Sequence, residues 1–169
     1  MNISVTDRPR VFLGAPSILT PQQQPDLERW VAWLEHRSCE VVRVTRDSYG
    51  ADPWRLLTGL FSHSDGALLL GFRQLDARSA VWRPDTKEEA RSADWWTSPW
   101  LQLEAGMAVA LRVPVLVAPE AEVEDGVFHP DLWGTHVQGT ALTDPGATAD
   151  HWLTAVREHR DRRTSAGQG

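Results

Sequence analysis

Cysteine and long apolar runs are scarce in this sequence of 169 residues. Cys39 is the single cysteine, which excludes a disulfide framework and a cysteine-based zinc knuckle within the chain. No apolar run reaches the length of a membrane span. The polar start, Met1 to Arg10, is not followed by the apolar segment of a signal peptide. We therefore expect a cytoplasmic protein that makes no contact with a membrane.

The sequence also lacks an excess of positively charged side chains over negatively charged ones. The chain has 17 lysines and arginines against 23 aspartates and glutamates, a formal net charge of −6 at pH 7. This balance argues against nucleic acid as a partner, because binding to a phosphate backbone needs cationic side chains. The arginines at 157, 160, 162 and 163 form a basic cluster that we interpret as the end of a helix, where cations suit the helix dipole.

Several common catalytic motifs are absent. The sequence has no GxGxxG and no GxxxxGK[ST], and its six histidines have no spacing typical of metal ligands. No metal and no cofactor are therefore expected. Ser17 lies in no nucleophile-elbow motif and Cys39 precedes a strand, so nucleophilic serine or cysteine chemistry is not supported.

Strand and helix patterns alternate along the chain. Apolar runs predict strands at 10–14, 40–45, 66–72, 113–117 and 135–142, and helical spacing predicts helices at 25–37, 53–62, from 98 onward and at 150–160. This alternation predicts an α/β flavodoxin-like three-layer sandwich: a five-stranded parallel sheet in the order 2-1-3-4-5 with helices on both faces. We expect one domain over residues 1–163 and a disordered tail at 164–169.

One connection, residues 73–97, is much longer than the usual strand-to-helix loop. It is rich in charge and ends in Asp94-Trp95-Trp96. We predict a short helix at 86–93 inside it and interpret the segment as a lid or specificity loop, with Arg73 and Trp96 bordering a pocket. The alternative is that the tryptophans only pack the segment onto the sheet.

The segment after this connection is the most informative part of the chain. Ser98 is a good N-cap and Pro99 suits the first helical position. The stripe through Trp100, Glu104 and Leu111 faces the interior by its periodicity. A carboxylate on such a stripe is costly unless it has a partner or a function. Glu104 is therefore either a catalytic carboxylate or the partner of an arginine at the helix edge.

Ligands of open parallel sheets bind at the carboxyl ends of the strands. We predict a binding cleft there beside Glu104, formed by Gly14, Ala15, Pro16, Ser17, Asp47, Gly71, Phe72, Arg73, Trp96 and Trp100. The glycines have an alternative interpretation as ordinary strand-to-helix turns. A carboxylate beside tryptophan suits cleavage of an N-glycosidic bond, in which it stabilises an oxocarbenium-like state, attacks the anomeric carbon, or orients a water or another acceptor. The predicted enzyme is therefore a hydrolase or a glycosyltransferase.

Three stretches carry a family resemblance: 11–16 (VFLGAP), 65–71 (DGALLLG) and 103–115 (LEAGMAVALRVPV). They resemble the nucleoside 2-deoxyribosyltransferase-like proteins and their nucleotide N-glycosidase relatives, whose catalytic glutamate corresponds to Glu104. Trp100 and Glu104 also resemble the Trp-x-x-x-Glu segment of NAD-cleaving TIR domains. The resemblance implies a TIR-like fold and a small-molecule partner: a nucleoside, a nucleotide or NAD.

Two other functions remain open on the sequence. One is a nucleotide-sensing or TIR-like signalling module that binds such a ligand without reacting. The other is a structural assembly domain, a homo-oligomer in which exposed tryptophans form the interface between copies.

Overall fold

The computed structural model describes residues 8–44, 50 and 52–166. Its strands and helices are β1 (Arg10–Gly14), α1 (Gln24–His36), β2 (Glu40–Val42), α2 (Pro53–Ser62), β3 (Gly66–Gly71), β4 (Leu75–Asp76), β5 (Val81–Trp82), β6 (Ala90–Arg91), β7 (Trp95–Trp96), α3 (Pro99–Ala110), β8 (Val115–Pro119), β9 (Val137–Gly139) and α4 (Gly146–Ala166). Two short 3-10 turns, Gly126–Phe128 and Pro130–Leu132, lie between β8 and β9. None of the described helices is both long enough and apolar enough to cross a membrane.

Five strands form one parallel sheet in the order β2-β1-β3-β8-β9. Counted along the chain within this sheet, the order is 2-1-3-4-5, which confirms the predicted topology. β3 lies at its centre and is buried along its whole length. Its continuous apolar run is what a parallel strand covered on both faces requires.

Alternate residues of the strands supply two separate cores. Leu68 and Leu70 pack with α1 and α4, whereas Ala67 and Leu69 pack with α2 and α3. Helices therefore cover both faces of the sheet, and the three-layer α/β sandwich is confirmed. The carboxyl ends of β1, β3 and β8 lie together at one edge of the sheet, and the helix N-termini of α2 and α3 lie toward the same edge.

The connection over residues 73–97 is a hairpin, so the predicted short helix at 86–93 is wrong. β4 pairs antiparallel with β7, and β5 pairs antiparallel with β6 farther out. Arg83 and Asp85 have φ of +50° and +62° in the turn beyond them. Within the predicted range, Ala90–Arg91 form β6, and an extended chain that pairs with β5 cannot be helical.

The last helix is longer than the sequence indicated. α4 begins at Gly146 and continues to Ala166, so the predicted disordered tail is wrong for residues 164–166. The hydroxyl of Thr164 donates to Arg160 O at 3.1 Å and that of Ser165 to Asp161 O at 2.8 Å. These bonds to the preceding turn are the usual way for such side chains to remain within a helix. Strand β2 ends at Val42, earlier than predicted.

Candidate functional site

The start of α3 follows its sequence signals closely. Ser98 is the N-cap, its Oγ accepts a hydrogen bond from Trp100 N at 3.4 Å, and Pro99 is the first helical residue. The helix packs its inner face on β3 and β8. Glu104 lies on that inner face with Leu101, Ala105 and Ala108 and exposes only 4% of its surface. The predicted stripe is correct for Glu104 and wrong for Trp100 and Leu111, which are both exposed.

Glu104 meets the carboxyl end of β1 at Gly14. A methyl group added to Gly14 would lie 2.5 Å from Glu104 Oε2, 2.6 Å from Leu69 Cδ2 and 3.0 Å from Leu101 Cδ2. All three distances are too short for a real side chain in that position. The missing side chain of Gly14 is therefore what admits the carboxylate between α3 and the central strands.

Trp100 stands one helical turn before Glu104 on the same side of α3. Its ring is partly exposed and lies 6.5 Å from that of Trp54, centroid to centroid, at an interplanar angle of 39°. Trp54 belongs to the first turn of α2 and is 55% exposed. Two tryptophans from two adjacent helix N-termini thus form an aromatic wall near Glu104.

Sequence reasoning missed Trp54, although the sequence carries a usable signal. Asp52-Pro53-Trp54 has the same plan as Ser98-Pro99-Trp100: a capping side chain, a proline and a tryptophan. Asp52 Oδ1 accepts a hydrogen bond from Arg55 N at 3.0 Å, so both segments begin their helices in the same way. Because both helices start at the same edge of the sheet, the repeat brings the two rings together.

The turn after β1 is only partly open. Ala15 is half-buried against the core under α1 and α4, Pro16 is buried, and Ser17 is exposed. Of these predicted binding residues, Ser17 offers its side chain to solvent. Asp47, the residue predicted at the end of the second strand, lies outside the described residues.

At the end of β3 the structure separates two residues predicted to line the cleft. A methyl group on Gly71 would lie 2.7 Å from the Phe128 ring, so this glycine is needed for packing. Phe72 is fully buried in the core under α1 and α4. With no exposed surface it does not line the cleft in this structure, which corrects the expectation from sequence.

Arg73 is held by the loop that follows β8. Its Nε donates to Ala121 O at 2.9 Å, and its guanidinium forms ion pairs with Glu120 at 3.8 Å and Glu122 at 3.4 Å. Its Cζ also lies 5.4 Å from the centre of the Trp95 ring. The charge of Arg73 is therefore matched within the protein, and the contact with a ligand phosphate stays a prediction.

Trp96 packs within the hairpin rather than against α3. Its ring centroid is 5.2 Å from that of Trp82, and its backbone pairs with Leu75 across the hairpin base. It remains half-buried at the point where the chain enters α3. Its predicted place at the pocket border stays a prediction.

Asp65 has a structural role at the opposite edge of the sheet, where the strands begin. It is 1% exposed and accepts hydrogen bonds from Arg10 N at 2.8 Å and Arg163 Nη2 at 2.7 Å. Over the ranges that the structure describes, no group of three His, Cys, Asp or Glu residues is arranged to hold a metal ion.

No family model matches this chain, and no curated protein matches it. Among solved structures, the chain is similar to BcmB, a CMP N-glycosidase of Clostridium botulinum, with 17% sequence identity and a TM-score of 0.46. The similarity covers 86% of this chain and 96% of that one. A likeness at this level carries no argument about activity or substrate.

Proposed function

We propose that this protein hydrolyses the N-glycosidic bond of a nucleoside or nucleotide, with Glu104 as the catalytic carboxylate. The observation that carries the proposal is the placement of that carboxylate. It is buried against Gly14 at the carboxyl end of β1. In open parallel sheets this edge is where ligands bind.

The reaction requires the bond between the anomeric carbon and the base nitrogen to break. The electron pair of that bond leaves with the base nitrogen, which takes up a proton. Positive charge develops on the sugar, and a carboxylate beside the anomeric carbon stabilises it or attacks that carbon. Water then adds to the anomeric carbon and loses a proton. A buried Glu104 suits this role because electrostatic attraction is stronger where water is excluded.

Access to Glu104 requires movement, because its surface is almost fully covered in this structure. The exposed rings of Trp54 and Trp100 are the candidates for a movable wall at its entry. Tryptophan offers a flat surface on which a base stacks, an interaction worth roughly 1–3 kcal/mol in nucleic-acid complexes. In this proposal the base stacks on one of these rings and the sugar points toward Glu104.

The same burial favours a second candidate function. A carboxylate that stays covered when the ligand is bound cannot touch the anomeric carbon, and the protein would then bind a nucleotide without cleaving it. The exposed tryptophans also suit the third function, association of copies through their aromatic surface. These three functions differ in what they predict for ligand binding and for product.

A combined screen separates them. The full chain is mixed with nucleosides, nucleotides and NAD, and both its melting temperature and the release of free base by chromatography are measured. Hydrolysis predicts stabilisation together with free base. Binding alone predicts stabilisation, about 2.7 kcal/mol at a hundredfold excess over Kd, without product. No shift with any ligand, together with a dimer in solution, would favour assembly and contradict the proposal.

A further inference from the structure

A cavity with charged walls lies at the edge of the sheet opposite Glu104. Its volume is about 530 Å³, and it opens where β3 and β8 begin, between the C-terminal ends of α2 and α3 and the last turns of α4. The side chains and backbone that line it include Ser62, Ser64, Arg112, His159, Arg162 and Arg163. Nothing in the proposed hydrolysis uses this cavity.

Two hydrogen bonds hold the side chain of Arg163 in the wall of this cavity. Its Nη2 donates to Asp65 Oδ1 at 2.7 Å and its Nη1 to Ser62 O at 3.1 Å. Its Nε is buried and has no hydrogen-bond acceptor among the described residues. The guanidinium is therefore oriented by two partners, while its covered Nε remains an unsatisfied donor, which costs free energy.

Arg112 has a conformation that does not favour arginine. It follows the end of α3 with a φ of +59°, in the left-handed region where glycine is the usual residue. The side chain makes this conformation less stable by roughly 1–2 kcal/mol. In the described part of the chain Arg112 forms no ion pair that would offset this cost.

Arg162 adds a third guanidinium with weak compensation. Its contact with Glu158 is 3.9 Å long and both side chains are exposed, so the pair contributes little. Asp65 and the C-terminal ends of α2 and α3 supply negative charge, each helix end about half a unit. Together with Glu158 they roughly balance the three guanidinium charges, so an anion would be held by directed hydrogen bonds from arginine and not by excess positive charge.

The His159 ring lines the same cavity as Arg162 and Arg163. Its pKa is lowered, first by burial and then by the charge of Arg162; Asp65 opposes this shift, and Arg163 adds the smallest lowering effect. An anion that enters the cavity would favour the protonated form of the His159 ring and would therefore raise its pKa.

We propose that this cavity binds a small anion that carries a phosphate group, at a site separate from Glu104. The planar guanidinium groups of Arg112 and Arg162 match the geometry of phosphate oxygens, and Arg163, held by Asp65 and Ser62, adds its charge beside them. A volume of about 530 Å³ is within the range of small-molecule sites and accommodates a sugar phosphate. The unfavourable backbone conformation of Arg112 is explained if its side chain binds the ligand in this complex.

The test uses inorganic phosphate and ribose 5-phosphate, titrated calorimetrically into the full chain at low ionic strength. Arg112→Gly removes one guanidinium and also relieves the left-handed strain, so loss of binding cannot be attributed to unfolding. Arg83→Gly is the matched control. Arg83 is also an arginine at positive φ, +50°, and it lies in the exposed hairpin turn. Both variants change the net charge by the same amount.

We expect saturable binding that weakens about tenfold or more in Arg112→Gly and is unchanged in Arg83→Gly. Titration should also move the His159 ring resonances toward those of the protonated form. Tighter binding of ribose 5-phosphate than of phosphate would mean that the cavity recognises the sugar, and equal binding that it recognises the phosphate group alone. Absence of saturation at about 10 mM ligand, or equal weakening in both variants, would overturn the proposal.

Discussion

Replacing Gly14 by alanine perturbs the contact on which the candidate site depends. The added methyl group would meet Glu104 Oε2 at 2.5 Å, Leu69 Cδ2 at 2.6 Å and Leu101 Cδ2 at 3.0 Å. The backbone itself tolerates alanine, because Gly14 is not among the glycines with positive φ. Any loss of stability must therefore come from crowding around the methyl group.

The expected magnitude follows from two opposing effects. Overpacking of a close-packed core costs about 1–3 kcal/mol. The reduced freedom of the unfolded chain returns about 0.4–1 kcal/mol when glycine becomes alanine. We therefore expect Gly14→Ala to lower the free energy of unfolding by about 1–2 kcal/mol, or the melting temperature by roughly 2–8 °C in a chain of this size.

Urea denaturation followed by tryptophan fluorescence measures this change. Gly106→Ala is the matched control, since Gly106 lies in α3, the helix that carries Glu104, and a methyl group there meets nothing within 4 Å. It should raise the free energy of unfolding by roughly 0.5–1 kcal/mol through helix propensity. The two substitutions are chemically identical and are expected to act in opposite directions.

A double-mutant cycle then assigns the crowding to Glu104. Glu104→Ala removes the nearest of the three atoms, so Gly14→Ala should cost about 0.5–1 kcal/mol less in that background. The contacts with Leu69 and Leu101 remain and keep part of the cost. Equal costs in both backgrounds, or a Gly14→Ala variant as stable as the wild type, would refute the described contact.

Three further outcomes are expected from other parts of the chain. Asp65→Asn should lower the free energy of unfolding by about 2 kcal/mol in urea, since it leaves Arg163 without its buried carboxylate, and the partial exposure of Arg163 reduces the full cost of a buried pair. Because the pKa of His159 is lowered by burial and then by adjacent arginines, the unfolded chain binds the proton more tightly. Stability should thus fall as the pH falls below about 6.5, and a stability curve between pH 5 and 7 that keeps its slope in His159→Gln would contradict this. In the hairpin, Trp96→Ala should weaken ligand binding in a calorimetric titration. Trp33→Ala is the control and should not, because Trp33 lies in α1 on the face of the sheet away from α3. Equal affinity in both variants would mean that the hairpin tryptophans only pack.

Local signals explain why the framework of the fold was predictable. The apolar run of β3 indicates a central parallel strand without knowledge of its neighbours. Ser98 and Pro99 define the start of α3, and the helical period then places Glu104 on the buried side. The buried position of Phe72 was also within reach of the sequence. It continues the alternation of Leu68 and Leu70, which face the core under α1 and α4.

The features that could not be predicted from the sequence depend on contacts between distant parts of the chain. The hairpin pairs in units of two residues, too short for an alternating pattern to be recognised. The partners of Arg73 come from the loop after β8, more than forty residues away. The contact between Gly14 and Glu104 depends on how closely α3 approaches β1, a distance set by packing and not by either segment alone.

The most direct test of the central claim compares two glutamate-to-glutamine substitutions on the substrate that releases most base. Glu104→Gln keeps the size of a buried side chain and removes its charge. Glu28→Gln makes the same change on the exposed side of α1, where Glu28 accepts a hydrogen bond from Gln24. The proposed function predicts that base release falls by about a hundredfold or more in Glu104→Gln and is unchanged in Glu28→Gln. Release of base at the wild-type rate by folded Glu104→Gln would contradict it.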